Sequence, residues 1–275
     1  MRLKGSITAA AVATALAAFA SAASAASAAT IKPPADIASA GKITFCVDVS
    51  FPPFESYAPG NKAVGSDIDM GTAFAKMMGV KAVWRNTGFD GIIPALQAKQ
   101  CDAIMSGLYD KASRRKVVDF VDYARLGNSI VVPKGNPHHV VRLADLTGMK
   151  VGVESGTTLR LQLVDANKKL SAAGKKPMTI VSFPKDSDAF QQLIAGNVDA
   201  YYTVTSTAAY YGKKTGGRTE IAGPQISAFP FGVATRKDDK ELHQAFVKAL
   251  AQLRKSGQYA AILKRWGISN AAISA

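Results

Sequence analysis

The residues with the most chemical potential in this chain sit at the ends of short apolar runs. Ala103-Ile104-Met105 stops at Ser106-Gly107, and a polar turn follows that leads to two arginines, Arg114 and Arg115. Residues 150–154 run into Ser155-Gly156-Thr157-Thr158, and residues 42–49 run into the stretch FPPFES, residues 51–56. Each end is a turn of serine, threonine, glycine or aromatic residues behind an apolar strand, and the three can converge on one cleft. Asp48, a carboxylate ending such a strand, is costly there unless it is paired, which favours a functional role for it. Catalytic arrangements are harder to find. Gly152-Val153-Glu154-Ser155-Gly156 is not a nucleophile elbow, because the serine stands one place late. No phosphate-binding loop follows Gly156, since threonine replaces the needed lysine. His138, His139 and His243 share no ligand spacing with the cysteines, so neither a metal nor another cofactor is expected.

The elements that must position these residues alternate between strand and helix. Apolar strands are expected at residues 42–49, 80–85, 103–105, 150–154, 178–183 and 199–204, with an extended stretch at 129–133. Between them lie helices. Met70, Ala73, Phe74, Met77 and Met78 fall on one face of a helix over 67–78, closed by Gly79. Asp90 caps a helix carrying Ile92, Ile93 and Leu96. A helix runs from Thr158 to about Leu170, and Ser187 caps one over 188–195. Leu242, Phe246, Ala249, Leu250 and Leu253 form the buried stripe of a long late helix, with a short one at 258–266. This order predicts an α/β protein with parallel sheets and right-handed crossovers. Ligands of such open sheets bind beyond the carboxyl ends of the strands, where the three turns lie.

The N-terminus gives an address. Arg2 and Lys4 precede an uncharged run over 7–20, followed by SAASAASAAT with Ala-Ser-Ala sites ending at Ala22, Ala25 or Ala28. That is the pattern of a cleaved secretory signal peptide over residues 1–28, leaving a periplasmic protein. Roughly 245 residues then remain, enough for one large domain or two lobes. The chain carries 34 Lys+Arg against 20 Asp+Glu, a formal charge of +14. The basic residues are scattered in pairs with no single stripe, so a solvated basic surface is expected and nucleic acid is not. Cys46 and Cys101 can pair in an oxidising compartment, or remain small hydrophobes beside their strands; the sequence leaves both open.

Four blocks in order carry a resemblance: GSDIDMGTAFAKMMG at 65–79, FDGIIPALQAKQCDAIMSG, GMKVGVESGTT and LRKSGQYAAILKRWG. Over residues 42–266 the chain resembles the periplasmic solute-binding proteins of polar-amino-acid ABC importers, solute-binding family 3. Ser66 departs from the apolar or aromatic residue usual at its position. The resemblance implies a two-lobed periplasmic-binding-protein fold with parallel-rich sheets flanked by helices, joined by two crossing hinge segments. Lobe 1 would comprise residues 36–127 and 223–270, lobe 2 residues 128–222. The crossings would lie near 126–128 and 222–227. It also implies a monomer that takes a small-molecule ligand, an amino acid or carboxylate, to a membrane ABC permease with its ATPase.

By that resemblance Arg114 grips the ligand carboxylate, for which a guanidinium fork is suited as a lysine is not. Ser106 and Gly107 let the ligand approach the strand end. Phe51 and Phe89 flank its side chain, and Asp48 meets a polar or cationic tail. Thr157 and Thr158 add hydrogen bonds from a helix start, where backbone N–H groups favour anions. Arg115 is a surface residue. Three departures bear on the ligand. Val204 stands where the family carries an aspartate for the α-ammonium, Tyr109 replaces a Ser or Thr, and Glu154 replaces an often apolar residue. Glu154 either meets a cation, with Glu154 or Asp48 then receiving the ammonium, or faces solvent. The expected ligand is an amino acid or a close derivative, with a carboxylate lacking the α-amine as the second class. A periplasmic dehydratase acting on cyclohexadienyl acids, with Glu154 as general acid, and a ligand-binding sensor are the alternative functions; no independent catalytic constellation supports an enzyme.

Overall fold

The computed structural model describes residues 30–273; the expected signal peptide and its cleavage points lie outside them. After α1 (Ala35–Ala40), a first α/β unit is built from β1 (Lys42–Val47), the hairpin β2 (Ser56–Ala58) and β3 (Lys62–Val64), α2 (Ser66–Met77) and β4 (Lys81–Asn86). It continues through α3 (Ile92–Gln97), β5 (Ala103–Ile104) and the single turn α4 (Ala112–Arg115). The long β6 (Val118–Pro133) carries the chain to a second unit. That unit comprises β7 (Lys150–Glu154), α5 (Thr158–Ala172), β8 (Thr179–Phe183), α6 (Asp186–Ile194), β9 (Ala200–Val204) and α7 (Thr205–Lys214). The still longer β10 (Thr219–Arg236) returns, and α8 (Lys240–Lys255) and α9 (Gln258–Arg265) pack against α2.

The strands form one eight-stranded sheet in the order β4-β1-β5-β10-β6-β9-β7-β8. At each end the pairing is parallel, β1 with β4 and β5, and β7 with β8 and β9. The centre is antiparallel, with β6 and β10 matched from Val118↔Arg236 to Pro133↔Thr219. These two strands belong to both units, which makes the sheet mixed and the fold two-lobed. Their register slips between Ala222 and Ala228, where Gly223 and Ser227 adopt positive φ of 70° and 42°. Such a slip bends a strand and raises its local twist.

Burial explains the helices. Met70, Phe74, Ala75 and Met78 of the α2 stripe are buried, as are Leu242, Phe246, Ala249, Leu250 and Leu253 of α8. Phe74 and Phe45 both meet the Phe246 ring, so the two stripes face one core beside β1. Cys46 and Cys101 are joined in a disulfide with Cα atoms 5.6 Å apart. The bridge ties β1 to the segment entering β5 and settles the question the sequence left open. Among the described residues no helix is long and apolar enough to cross a membrane.

Candidate ligand-binding site

The carboxyl ends of β1, β5 and β7 face one cavity between the two units. It is a narrow space lined by residues of both, with about 10 Å³ open to the centre of a water-sized sphere, so its walls stand close together. From the first unit come Phe51, Phe89, Gly107, Tyr109, Arg114 and Phe231. Gly107 has φ 51°, and a Cβ there would stand 2.9 Å from the Phe51 ring. The glycine is therefore needed both for the backbone turn and for the closeness of the aromatic wall.

Arg114 enters from α4. Its Nη1 donates to the Tyr109 carbonyl at 2.9 Å, and its Nη2 approaches the Gly156 carbonyl of the second unit at 3.5 Å. Its guanidinium stands 5.6 Å from the centroid of the Phe89 ring. Burial lowers its pKa to about 10, so it stays cationic at neutral pH. No carboxylate pairs with it among the described ion pairs, which leaves most of its donors for a ligand. Arg115, one residue on, pairs instead with Asp110 and Asp122 at the surface. The Tyr109 hydroxyl is engaged away from the cavity, donating to Asn128 Oδ1 at 2.6 Å, so only its ring faces the space.

The second unit brings Glu154, Thr157, Thr158, Val153, Leu159, Tyr202, Val204 and a residue the sequence reading did not single out, Asp186. Thr157 caps α5: its hydroxyl donates to the Glu154 carbonyl at 2.8 Å and accepts from the Arg160 N–H at 3.1 Å. The buried Thr158 hydroxyl has no protein partner. Asp186 opens α6, two residues before the start that the sequence suggested. Its Oδ1 accepts from Tyr201 at 2.5 Å and Thr203 at 3.1 Å, two hydroxyls on one face of β9. Its Oδ2 and Glu154 Oε1 are both buried without a partner. Burial raises the pKa of Glu154 well above the carboxylate range and that of Asp186 to about 7, each aided by negative neighbours.

Two expected residues stand behind the cavity wall instead of in it. Ser106 is fully buried; its Oγ accepts from the Asp48 N–H at 2.9 Å and donates to Glu55 Oε1 at 3.0 Å. Its hydroxyl is thus consumed in holding β1 to β5. Asp48 is 3% exposed and accepts from the Phe89 N–H at 2.9 Å, which fixes the loop carrying that ring. Below them Asp67 accepts from the Gly107 N–H at 2.8 Å and from the Tyr123 hydroxyl at 2.6 Å. The units touch at the cavity rim. Gly156, with φ 72°, packs so closely that a Cβ would lie 2.6 Å from Asp90 Cα. The Asp186 N–H donates across the gap to Ser50 Oγ at 3.2 Å. Among the described residues no cluster of His, Cys, Asp and Glu is arranged to hold a metal ion.

A profile of bacterial extracellular solute-binding proteins, family 3, matches residues 43–269. The chain is 31% identical over 233 residues to ABC transporter arginine-binding protein 1 of Escherichia coli (strain K12), covering 83% of this chain and 92% of that protein. It is 33% identical over 227 residues to the lysine/arginine/ornithine-binding periplasmic protein of the same organism, covering 80% and 85%. Among solved structures, an ancestral arginine-binding protein bound to arginine superposes with a TM-score of 0.76 at 38% identity, covering 82% of this chain and 98% of that one.

Proposed function

We infer, since the chain belongs to the bacterial extracellular solute-binding proteins of family 3, that it captures a basic amino acid between its lobes and delivers it to an ABC importer. One observation carries this reading: an arginine without a carboxylate partner and two buried, incompletely bonded carboxyls line the same small cavity. A ligand complementary to them bears a carboxylate and an ammonium, as an amino acid does. Arg114 takes the carboxylate in a charge-assisted contact contributing roughly 1.5–3 kcal/mol. Phe51, Phe89, Tyr109 and Phe231 enclose the side chain. The relatives named for arginine, lysine and ornithine support the basic class.

The lobes divide at residues 126–128 and 222–227 in this reading, and closure is a rotation about the β6–β10 pair. Asp48, Ser106 and Thr157 hold the walls in place, while Gly107, Glu154 and Thr158 face the ligand. The protein acts as a periplasmic monomer, exported by a cleaved signal peptide, with no catalytic step and no nucleic-acid partner.

The test is calorimetry on mature protein stripped of ligand by unfolding and refolding, titrated with L-arginine, L-lysine, L-ornithine and the neutral isostere L-citrulline. A basic amino acid should bind at least about tenfold tighter than citrulline, a difference of about 1.4 kcal/mol. Equal affinity for citrulline would discard the basic class. Absence of binding by any amino acid would discard the reading altogether.

A further inference from the structure

In the resemblance set out above, the ligand's α-ammonium is met by an aspartate near the end of β9. This chain has Val204 there, fully buried and lining the cavity. A valine offers an ammonium nothing, and a charge buried without a partner is heavily penalised. The strand is not idle, however. Tyr201 and Thr203, on the opposite face of β9 from Tyr202 and Val204, both donate to one oxygen of Asp186. That carboxyl is supplied from the first residue of α6, and its second oxygen is left free. Glu154, ending β7, presents its own free oxygen to the same cavity. Glu154 and Asp186 are 5% and 2% exposed.

We propose that Glu154 and Asp186 together receive the ligand's α-ammonium in place of a carboxylate at Val204, displacing protons that these two buried carboxyls hold in the free protein. The inference rests on the reading of the cavity as an amino-acid site. Two adjacent carboxyls cannot both ionise in a buried site without a counter-charge. The groups facing them do not supply one: Asp48 and Asp90 add negative charge from the first lobe, and Tyr201 and Tyr211 are neutral. Lys185 precedes Asp186 but is exposed, and Arg114 is committed to the ligand carboxylate. An arriving ammonium supplies the missing positive charge, so the carboxyls ionise, each O–H they held is exchanged for an N–H···O contact, and each proton passes to the buffer.

Calorimetry of L-arginine and of 5-guanidinopentanoate, arginine without its α-amine, tests this at a pH of about 6.5, below the value near 7 of Asp186. Titrations in buffers of different ionisation enthalpy count the protons released. L-arginine should release a proton, and 5-guanidinopentanoate should bind at least about tenfold more weakly and release less. Glu154→Gln and Asp186→Asn keep size, and the asparagine oxygen still accepts from Tyr201 and Thr203. Each should lower the number of protons released and erase the preference for arginine. Should both variants keep that preference while Arg114→Ala weakens both compounds, the ammonium lies elsewhere and only this inference falls. Should Arg114→Ala weaken neither compound, the cavity reading falls and the inference with it. If neither arginine nor its desamino acid binds, both are overturned.

Discussion

The disulfide gives a stability difference that can be worked from the chain alone. Cys46 and Cys101 are 55 residues apart and nearly inaccessible, at 0% and 2% exposure. Cross-linking removes from the unfolded ensemble an entropy that grows as the logarithm of the loop. For a loop of this length the chain-entropy relation gives about 4 kcal/mol at 25 °C. At roughly 2–4 °C per kcal/mol for a protein of this size, reduction should lower the melting temperature by about 8–16 °C. The assay is denaturant unfolding of the wild-type protein, oxidised and then reduced, followed by tryptophan fluorescence. Trp84 is a suitable reporter, since it stacks on Phe45 next to Cys46 with ring centroids 4.8 Å apart. Reduction keeps both sulfur atoms in the core, so the comparison isolates the cross-link from the packing. A change below about 1 kcal/mol would refute the entropic argument, because the loop would then have been constrained without the bond.

Arg114→Ala should weaken amino-acid binding by about 10- to 150-fold, the equivalent of 1.5–3 kcal/mol, with an unchanged circular dichroism spectrum. Unaltered affinity would remove Arg114 from the site. In the ligand-free protein burial raises Asp67 to about 6 and Asp186 to about 7, and pushes Glu55 and Glu154 well above the ordinary carboxylate range. The folded state therefore holds protons that the unfolded chain releases above about pH 4–5, and stability should rise as pH falls from about 8 to 5. Asp119, lowered to about 2 by Lys237 and Lys240, does not oppose this trend, since its contribution is lost only below that window. A melting temperature that falls on acidification from pH 8 would contradict the assignment of these groups as protonated. Glu55, fully buried and bonded through Oε1 to Ser106, should tolerate Glu55→Gln at a cost under about 1 kcal/mol by chemical denaturation. A loss of about 3 kcal/mol or more would mean that it is ionised in the native protein.

Much of the fold is legible because its units are local. The stripe of α2, the stripe of α8 and the strand over Lys150–Glu154 can each be read from a window of a dozen residues or fewer. The long antiparallel pair is not. β6 reads as a strand only over 129–133, because Arg125 and Gly127 interrupt its apolar pattern where it passes between lobes. β10 gives no strand signal of its own because Gly223, Pro224 and Pro230 punctuate it. Proline is tolerated where register slips or an edge frees the backbone N–H, and that depends on a partner about a hundred residues away. The cavity divides in the same way. Arg114, Phe51, Phe89 and Gly107 follow from motif positions. Asp186 hides in a stretch that reads as a helix cap at Ser187, and its meaning comes from two β9 hydroxyls that meet it only in the folded chain. Ser106 and Asp48 show the converse: the right type of residue beside the right strand end, turned to internal bonding.

The close approach of Gly156 to Asp90 bears on time as well as shape. With no side chain between them the rims of the two lobes meet at this point, and under the closure proposed above an enclosed molecule leaves when they part. Residence is then governed by the frequency of that opening more than by any single contact inside. A methyl group at Gly156 would act as a chock in a door. The pocket chemistry would survive, but the occupant could leak through a gap held permanently ajar, and a protein that stores its load between encounters with the permease would become one that merely samples it.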